Sequence, residues 1–191
     1  MQYSTFAAID IGSYDVILEI FEISKKQGIR SVDKICHRME LGKDTYTLGK
    51  IRPEMEEELC RVLADFVRIM EGYRVDAYRA MASSAISEAA NSLYVLGKIR
   101  QLTGLSVTVL SNSEQRFLGY KALAAMEDNF NKVIEKGTAI LDLDGGSFQI
   151  SLFDKDALVT TQNIVWVVFV SVSASPESRA RRNTTRRWSR N

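Results

Sequence analysis

The chain has 191 residues and a mass of 21.5 kDa, 46% of them hydrophobic and 26% charged. That composition supports one real core and excludes a disordered, collagen-like or disulfide-held chain. Net charge is +1, but six of the 25 basic residues and one of the 24 acidic ones fall in 171–191, so residues 1–170 carry about −4. A mildly acidic body does not suggest a nucleic-acid surface, and the basic tail needs its own explanation.

Phe6 to Ile11 is a short apolar run ending after Asp10, Gly12-Ser13 marks a turn, and Val16 to Ile23 is rich in β-branched and aromatic residues, which together predict a β-hairpin. Gly28 breaks it, Ile29 to Met39 reads as a third strand, and Gly42 to Lys50 as a polar loop. From Pro53 an acidic start leads into Met55, Leu59, Val62, Leu63, Phe66 and Met70 on one face, a helix closing at Gly72. Val75 to Met81 predicts a strand, and Ser83-Ser84 caps a helix over Ala85 to Asn91 that continues, kinked, through Leu93 to Leu102 and stops at Gly104. Ser106 to Leu110 is a strand, Ser113 caps a helix from Glu114 to about residue 127, and Thr138 to Leu143 is a buried strand with which Gln149 to Phe153 pairs back. Strands first, then helices and strands in alternation, give an α/β sheet with helices on its faces.

Cys36 and Cys60 stand too far apart for a CxxC pair or a metal knuckle and read as half-buried thiols. The first ten residues lack the basic start and apolar stretch of a signal peptide, and the run Ile164 to Val170 is well short of the ~20 residues that span a bilayer, which places the chain in the cytoplasm with no membrane partner. His37 is the single histidine and lies in a strand-like stretch without a nearby nucleophile, so it reads as a surface or edge-strand residue. Chemistry here would run on carboxylates, hydroxyls, backbone amides or a bound cation.

One pattern occurs twice. Apolar strand, aspartate, glycine-serine turn and apolar strand appear at residues 8–22 and again at 140–154, about 130 residues later. Such turns let backbone N–H groups converge on an anion, which makes Gly12, Ser13, Gly145, Gly146 and Ser147 candidate phosphate-binding residues. Asp10 and Asp142, at the ends of the preceding strands, are candidate ligands for Mg²⁺, usually held through water. A strand-end aspartate that merely caps a turn is the plainer reading of each.

Four segments in order carry a resemblance. They are Ile9-Asp10-Ile11-Gly12-Ser13, then residues 82–91 from Ala82 through Ser83, Ser84 and Glu88 to Asn91, then Leu110 to Arg116, and Leu141 to Ser147. Together they resemble the exopolyphosphatase/guanosine pentaphosphate phosphatase family over about residues 5–163, the second and third making the match specific. The resemblance implies an α/β, actin-like (ribonuclease H-like) duplicated fold, with a first domain over 1–130 complete and a second begun over 131–163. It implies Glu114 as the carboxylate that orients or activates water; without it, Glu114 reads as a helix N-terminal charge. The implied activity is hydrolysis of a phosphoanhydride with Mg²⁺ as cofactor, releasing terminal phosphate from polyphosphate or guanosine pentaphosphate. Guanosine tetraphosphate is a further expected ligand, no nucleic acid is expected, and the intact protein is expected to be a homodimer.

The sequence departs from the family pattern at Tyr14 (asparagine in the family), Ser87 (arginine), Asp144 (glycine) and Gln149 (glutamate). Asp144 adds negative charge beside the proposed nest, and Gln149 lacks the ionised oxygen of a metal-linked carboxylate, unless Asp144 takes over that contact. Weakened catalysis follows, so a non-catalytic phosphate- or nucleotide-binding module stays open, as does an ATP-dependent kinase or ATPase of the same fold. After Asn163 the family pattern stops. Codons allowed for Ile164 to Val172 can read Arg-Leu-Gly-Ser-Val-Arg-Ile-Arg in another frame, close to the expected strand, which makes 164–191 an aberrant basic tail produced by a frame slip. Its six arginines have Trp188 as their one aromatic neighbour, a poor stacking surface for RNA.

Overall fold

Alternating apolar and polar side chains build the hairpin that the sequence predicts. In the computed structural model, which describes residues 3–126, 130–143, 147–155 and 157–165, β1 (Ser4–Ile11) pairs antiparallel with β2 (Asp15–Ser24), and β2 with β3 (Gly28–Arg38). β4 (Ala77–Ala82) joins β1 in parallel and β5 (Val107–Val109) joins β4, giving the order β3-β2-β1-β4-β5. One face carries Ala7, Ile9 and Ile11 of β1, Val16, Leu18 and Ile20 of β2, and Ala80 and Ala82 of β4, all buried in the core. The period of two puts Ala8, Asp10 and Met81 on the other face.

The core is completed by helices. α2 (Pro53–Gly72) starts with proline in its first turn and Glu54 and Glu56 near its N-terminus, and buries Leu59, Leu63, Phe66 and Met70 in the same cluster. α4 (Ser92–Thr103) contributes Val95 and Ile99 and ends at Gly104, whose φ of 73° suits a residue without Cβ. Fully burying such side chains stabilises the fold by about 1.5–3 kcal/mol each.

Several expectations need correction. Gly42 to Lys50 is not a loop: α1 (Leu41–Leu48) occupies it and ends at Gly49. Its sequence lacks an apolar stripe because tertiary contacts hold it. Leu41 is buried, the Asp44 carboxylate accepts from the backbone N–H and Nε of Arg52, and the Thr45 hydroxyl donates to the Ala85 carbonyl at 2.6 Å. The helix predicted from Ala85 onward is two helices, α3 (Ser84–Ser87) and α4. They separate at Asn91, whose amide accepts from Ile51 N–H and donates to the Ile51 carbonyl and to Glu56. The cysteines are not alike: Cys60 is buried and Cys36 exposed. His37 does sit on the edge strand β3, 3.3 Å from Glu58.

Beyond β5, α5 (Asn112–Met126) and α6 (Phe130–Ile134) lead to a second sheet, β6 (Thr138–Leu143), β7 (Ser147–Asp154) and β8 (Ala157–Val165), antiparallel throughout. β6 and β7 restate the β1–β2 hairpin, as the repeat predicts, but β6 is not the buried strand expected: Leu141 and Leu143 are exposed. α5 covers one face of this sheet through Tyr120, which meets Phe153 edge to face at 5.2 Å and hydrogen-bonds Ser151. The basic tail from residue 166 onward lies outside the described residues. No helix among the described residues is long and apolar enough to cross a membrane.

Candidate functional site

The β1–β2 turn is held from several sides. Gly12 N–H donates to the Asp15 carbonyl at 3.0 Å, and a Cβ on Gly12 would stand 3.0 Å from that same oxygen, so any side chain there would push the turn open. The Ser13 carbonyl accepts from Gly42 N–H at 2.8 Å, and the Tyr14 carbonyl from Met39 and Glu40 N–H at 3.0 Å each. The residues that begin α1 therefore grip the turn. Ser13 itself is 3% exposed, and its hydroxyl lies 3.2 Å from Tyr46 Oη and 3.3 Å from Ser84 Oγ. Outside, Tyr14 is 41% exposed with the Arg38 guanidinium 4.3 Å above its ring, and Arg38 also pairs with Glu40 at 3.1 Å. A cation thus stands at the mouth of the turn.

Asp10 is exposed on the face opposite the core, where it lines a cavity of about 310 Å³ with Arg79, Met81, Ser83, Gln115 and Leu118. Ser83 is fixed there by its N–H to the Ile11 carbonyl, 3.2 Å. Asp142 lines a second cavity of about 220 Å³ with Arg116, Tyr120, Gln149 and Ser151. α5 borders each: Gln115 and Leu118 face the first, Arg116, Gly119 and Tyr120 the second. α5 thus contributes to the lining of both the Asp10 and the Asp142 cavities.

Glu114 stands in the first turn of α5 and lines neither cavity. One carboxylate oxygen accepts from the Ser111 N–H at 2.9 Å and the Ser111 hydroxyl at 2.7 Å, while Glu114 N–H donates back to the Ser111 oxygen at 3.3 Å. This reciprocal pair is a capping box, with Ser111 where the sequence suggested Ser113. Both hydrogen bonds favour the ionised carboxylate and lower its pKa. Gln149 is 4% exposed and accepts from Arg116 Nε at 2.9 Å, in register with Asp142. Ser87, where the family pattern has arginine, donates to the Ser84 carbonyl at 3.3 Å. Gly145 and Gly146, with Asp144, lie outside the described residues, and Ser147 opens β7.

Gly12, Ser13 and Ser84 are therefore brought together, Asp10 and Asp142 each line a cavity beside α5, and Glu114 caps that helix. Sequence reasoning missed Tyr46, Gly42 and Arg38. The signal was the four-residue spacing of Gly42 and Tyr46, which means contact only once the segment is known to be a helix.

The model of the Ppx/GppA phosphatase family matches residues 19–162. Among relatives, Exopolyphosphatase 1 of Mycobacterium leprae is 25% identical over 144 residues, 75% of this chain and 41% of that protein. The bifunctional 3-dehydroquinate synthase/phosphatase of Fusobacterium nucleatum is 22% identical over 152 residues, 76% of this chain and 22% of that protein. Among solved structures, the Aquifex aeolicus Ppx/GppA family member superposes with a TM-score of 0.69 at 24% identity, covering 86% of this chain and 52% of that one. An exopolyphosphatase from Cytophaga hutchinsonii gives 0.70 at 19% identity, covering 85% and 50%. In every pair the chain spans about half or less of the relative's length. The structural likenesses establish the α/β, actin-like fold, and the family match over most of the chain establishes more: this chain belongs to the Ppx/GppA phosphatase family.

Proposed function

We propose that the chain is the N-terminal part of an exopolyphosphatase-type hydrolase, which releases terminal phosphate from inorganic polyphosphate or guanosine pentaphosphate. The observation that carries this reading is the β1–β2 turn, gripped through the Ser13 and Tyr14 carbonyls so that its backbone keeps one shape. In that shape Gly12 and Ser13 would receive a phosphate through main-chain dipoles, with Gly145, Gly146 and Ser147 as their counterparts in the repeated hairpin.

Asp10 and Asp142 supply hard carboxylate oxygens, the donor chemistry that Mg²⁺ prefers, and among the described residues there is no cluster of three acidic, histidine or cysteine side chains that would enclose a metal. Such a set fits a cation that keeps most of its water. Asp10 and Asp142 would hold it, and when bound it would neutralise phosphate oxygens. Glu114 orients the attacking water and takes its proton. A lowered pKa suits that role, because a loose phosphoryl-transfer transition state asks for positioning more than for a strong base. Both Ser111 bonds end on Oε2, which leaves Oε1 to accept from the water.

Gln149 favours a second reading. Its buried amide oxygen is taken by Arg116 and carries no charge, which suits a module that binds polyphosphate or guanosine tetraphosphate without turnover. The full-length protein is read as a cytoplasmic homodimer, and the tail from residue 164 as out of frame.

The test is phosphate release from long-chain polyphosphate with Mg²⁺, comparing this chain, a chain continued in the alternative frame from residue 164, and Glu114→Gln in that longer chain. Release by the longer chain that survives Glu114→Gln would remove the assigned base. Binding by calorimetry without release from either chain would favour the silent module, and release from ATP in preference to polyphosphate would favour a kinase or ATPase. Sequencing the DNA around codon 164 decides the frame.

A further inference from the structure

We propose that Tyr46 is a positioning residue for the β1–β2 turn, its hydroxyl and ring holding Ser13 so that the turn is set for an anion before one arrives. The inference rests on the reading of that turn as a phosphate site. Three hydroxyls from three elements meet here: Ser13 from the turn, Tyr46 from α1 and Ser84 from the start of α3. Tyr46 Oη lies 2.6 Å from Ser84 Oγ and 3.2 Å from Ser13 Oγ, and a 3.3 Å contact between the two serines closes the triangle. Ser13 and Ser84 are both buried, so each hydroxyl would be costly to leave without a partner, and the triangle supplies one.

The ring is held as closely as the hydroxyl. A Cβ on Gly42 would stand 2.8 Å from Tyr46 Cε2 and 3.0 Å from Ser13 Cβ, so ring and turn can meet only across a residue with no side chain. Gly42 also donates its N–H to the Ser13 carbonyl at 2.8 Å. α1 therefore grips Ser13 by carbonyl and hydroxyl together. With the Ser13 side chain turned inward, what the turn offers an anion is its main chain, and a main chain held in place loses little freedom on binding.

The experiment is calorimetric titration of the full chain with inorganic tripolyphosphate in the presence of Mg²⁺. Tyr46→Phe keeps the ring and removes one hydroxyl, and its affinity should fall roughly five- to tenfold, as should that of Ser13→Ala. If both act through one latch, adding Tyr46→Phe to Ser13→Ala should cost no more than about twofold further. Thr103→Ala controls for stability: it removes a hydroxyl that donates to the Ile99 carbonyl at the far end of α4, and should lower Tm without changing affinity. Tight binding by Tyr46→Phe, or losses that multiply fully in the double variant, would overturn the inference and leave the phosphate site standing. No tripolyphosphate binding by the unaltered chain would overturn both.

Discussion

Replacing Gly42 and Gly97 by alanine, one at a time, should move stability in opposite directions. Both glycines lie within helices, α1 and α4, where alanine is favoured over glycine by about 0.8–1 kcal/mol. At Gly97 a new Cβ meets nothing within 4 Å, so the propensity gain should be realised nearly in full. At Gly42 the Cβ would lie 2.8 Å from Tyr46 Cε2, 3.0 Å from Ser13 Cβ and 3.2 Å from the Ser13 carbonyl oxygen. The ring can swing, but the turn backbone is pinned, so overpacking of about 1–3 kcal/mol opposes the gain. A ring that swings also gives up its hydroxyl contacts at 2.6 and 3.2 Å, worth about 1 kcal/mol each. The net expectation for Gly42→Ala is a loss of about 2–4 kcal/mol, and at roughly 2–4 °C per kcal/mol a Tm lower by about 4–16 °C. Gly97→Ala should raise Tm by about 1–4 °C. Thermal unfolding followed by circular dichroism measures both. Shifts of the same sign would refute the packing argument, because propensity alone treats the two positions alike.

Asn91→Ala removes three hydrogen bonds that tie α4 to Ile51 and Glu56 and should destabilise by about 2–4 kcal/mol, read as a lower urea midpoint. An unchanged midpoint would mean that the end of the 82–91 segment is not a structural clasp. Ser111→Ala should cost about 1 kcal/mol at pH 7. The Glu114 pKa is lowered in the fold, so its share of that cost is present above the ordinary carboxyl range and fades as pH falls through the folded value. The difference between Ser111→Ala and the unaltered chain should therefore shrink at pH 3, and an equal or larger difference there would contradict the capping box. Gln149→Glu places a second carboxylate in register with Asp142 and within reach of Arg116, and should tighten Mg²⁺ binding roughly tenfold by calorimetry. No change in Mg²⁺ affinity would detach Asp142 from any cation site.

The strands of the first sheet and α2 were legible because their periodicities are strong and local: Ile9 and Ile11 alternate with Ala8 and Asp10, and Leu59, Leu63, Phe66 and Met70 share a helical face, whereas β8 gave no such signal. The glycine stop at Gly104 and the repeated hairpin were legible for the same reason, since backbone freedom and turn chemistry are properties of residue type. α1 was not, because its helix rests on partners distant in the chain, Arg52 for Asp44 and Ala85 for Thr45. Nor was the break at Asn91, whose side chain is claimed by Ile51 and Glu56 from 40 and 35 residues away. The candidate site divides in the same way. Residue type alone pointed to Gly12, Ser13, Asp10 and Asp142, but tertiary structure decided that the Ser13 hydroxyl turns inward to Tyr46 and Ser84, and that side chains of α5 line the cavities at both aspartates. The direction of a hydroxyl and the company of a carboxylate depend on which elements pack together, and no local pattern encodes that.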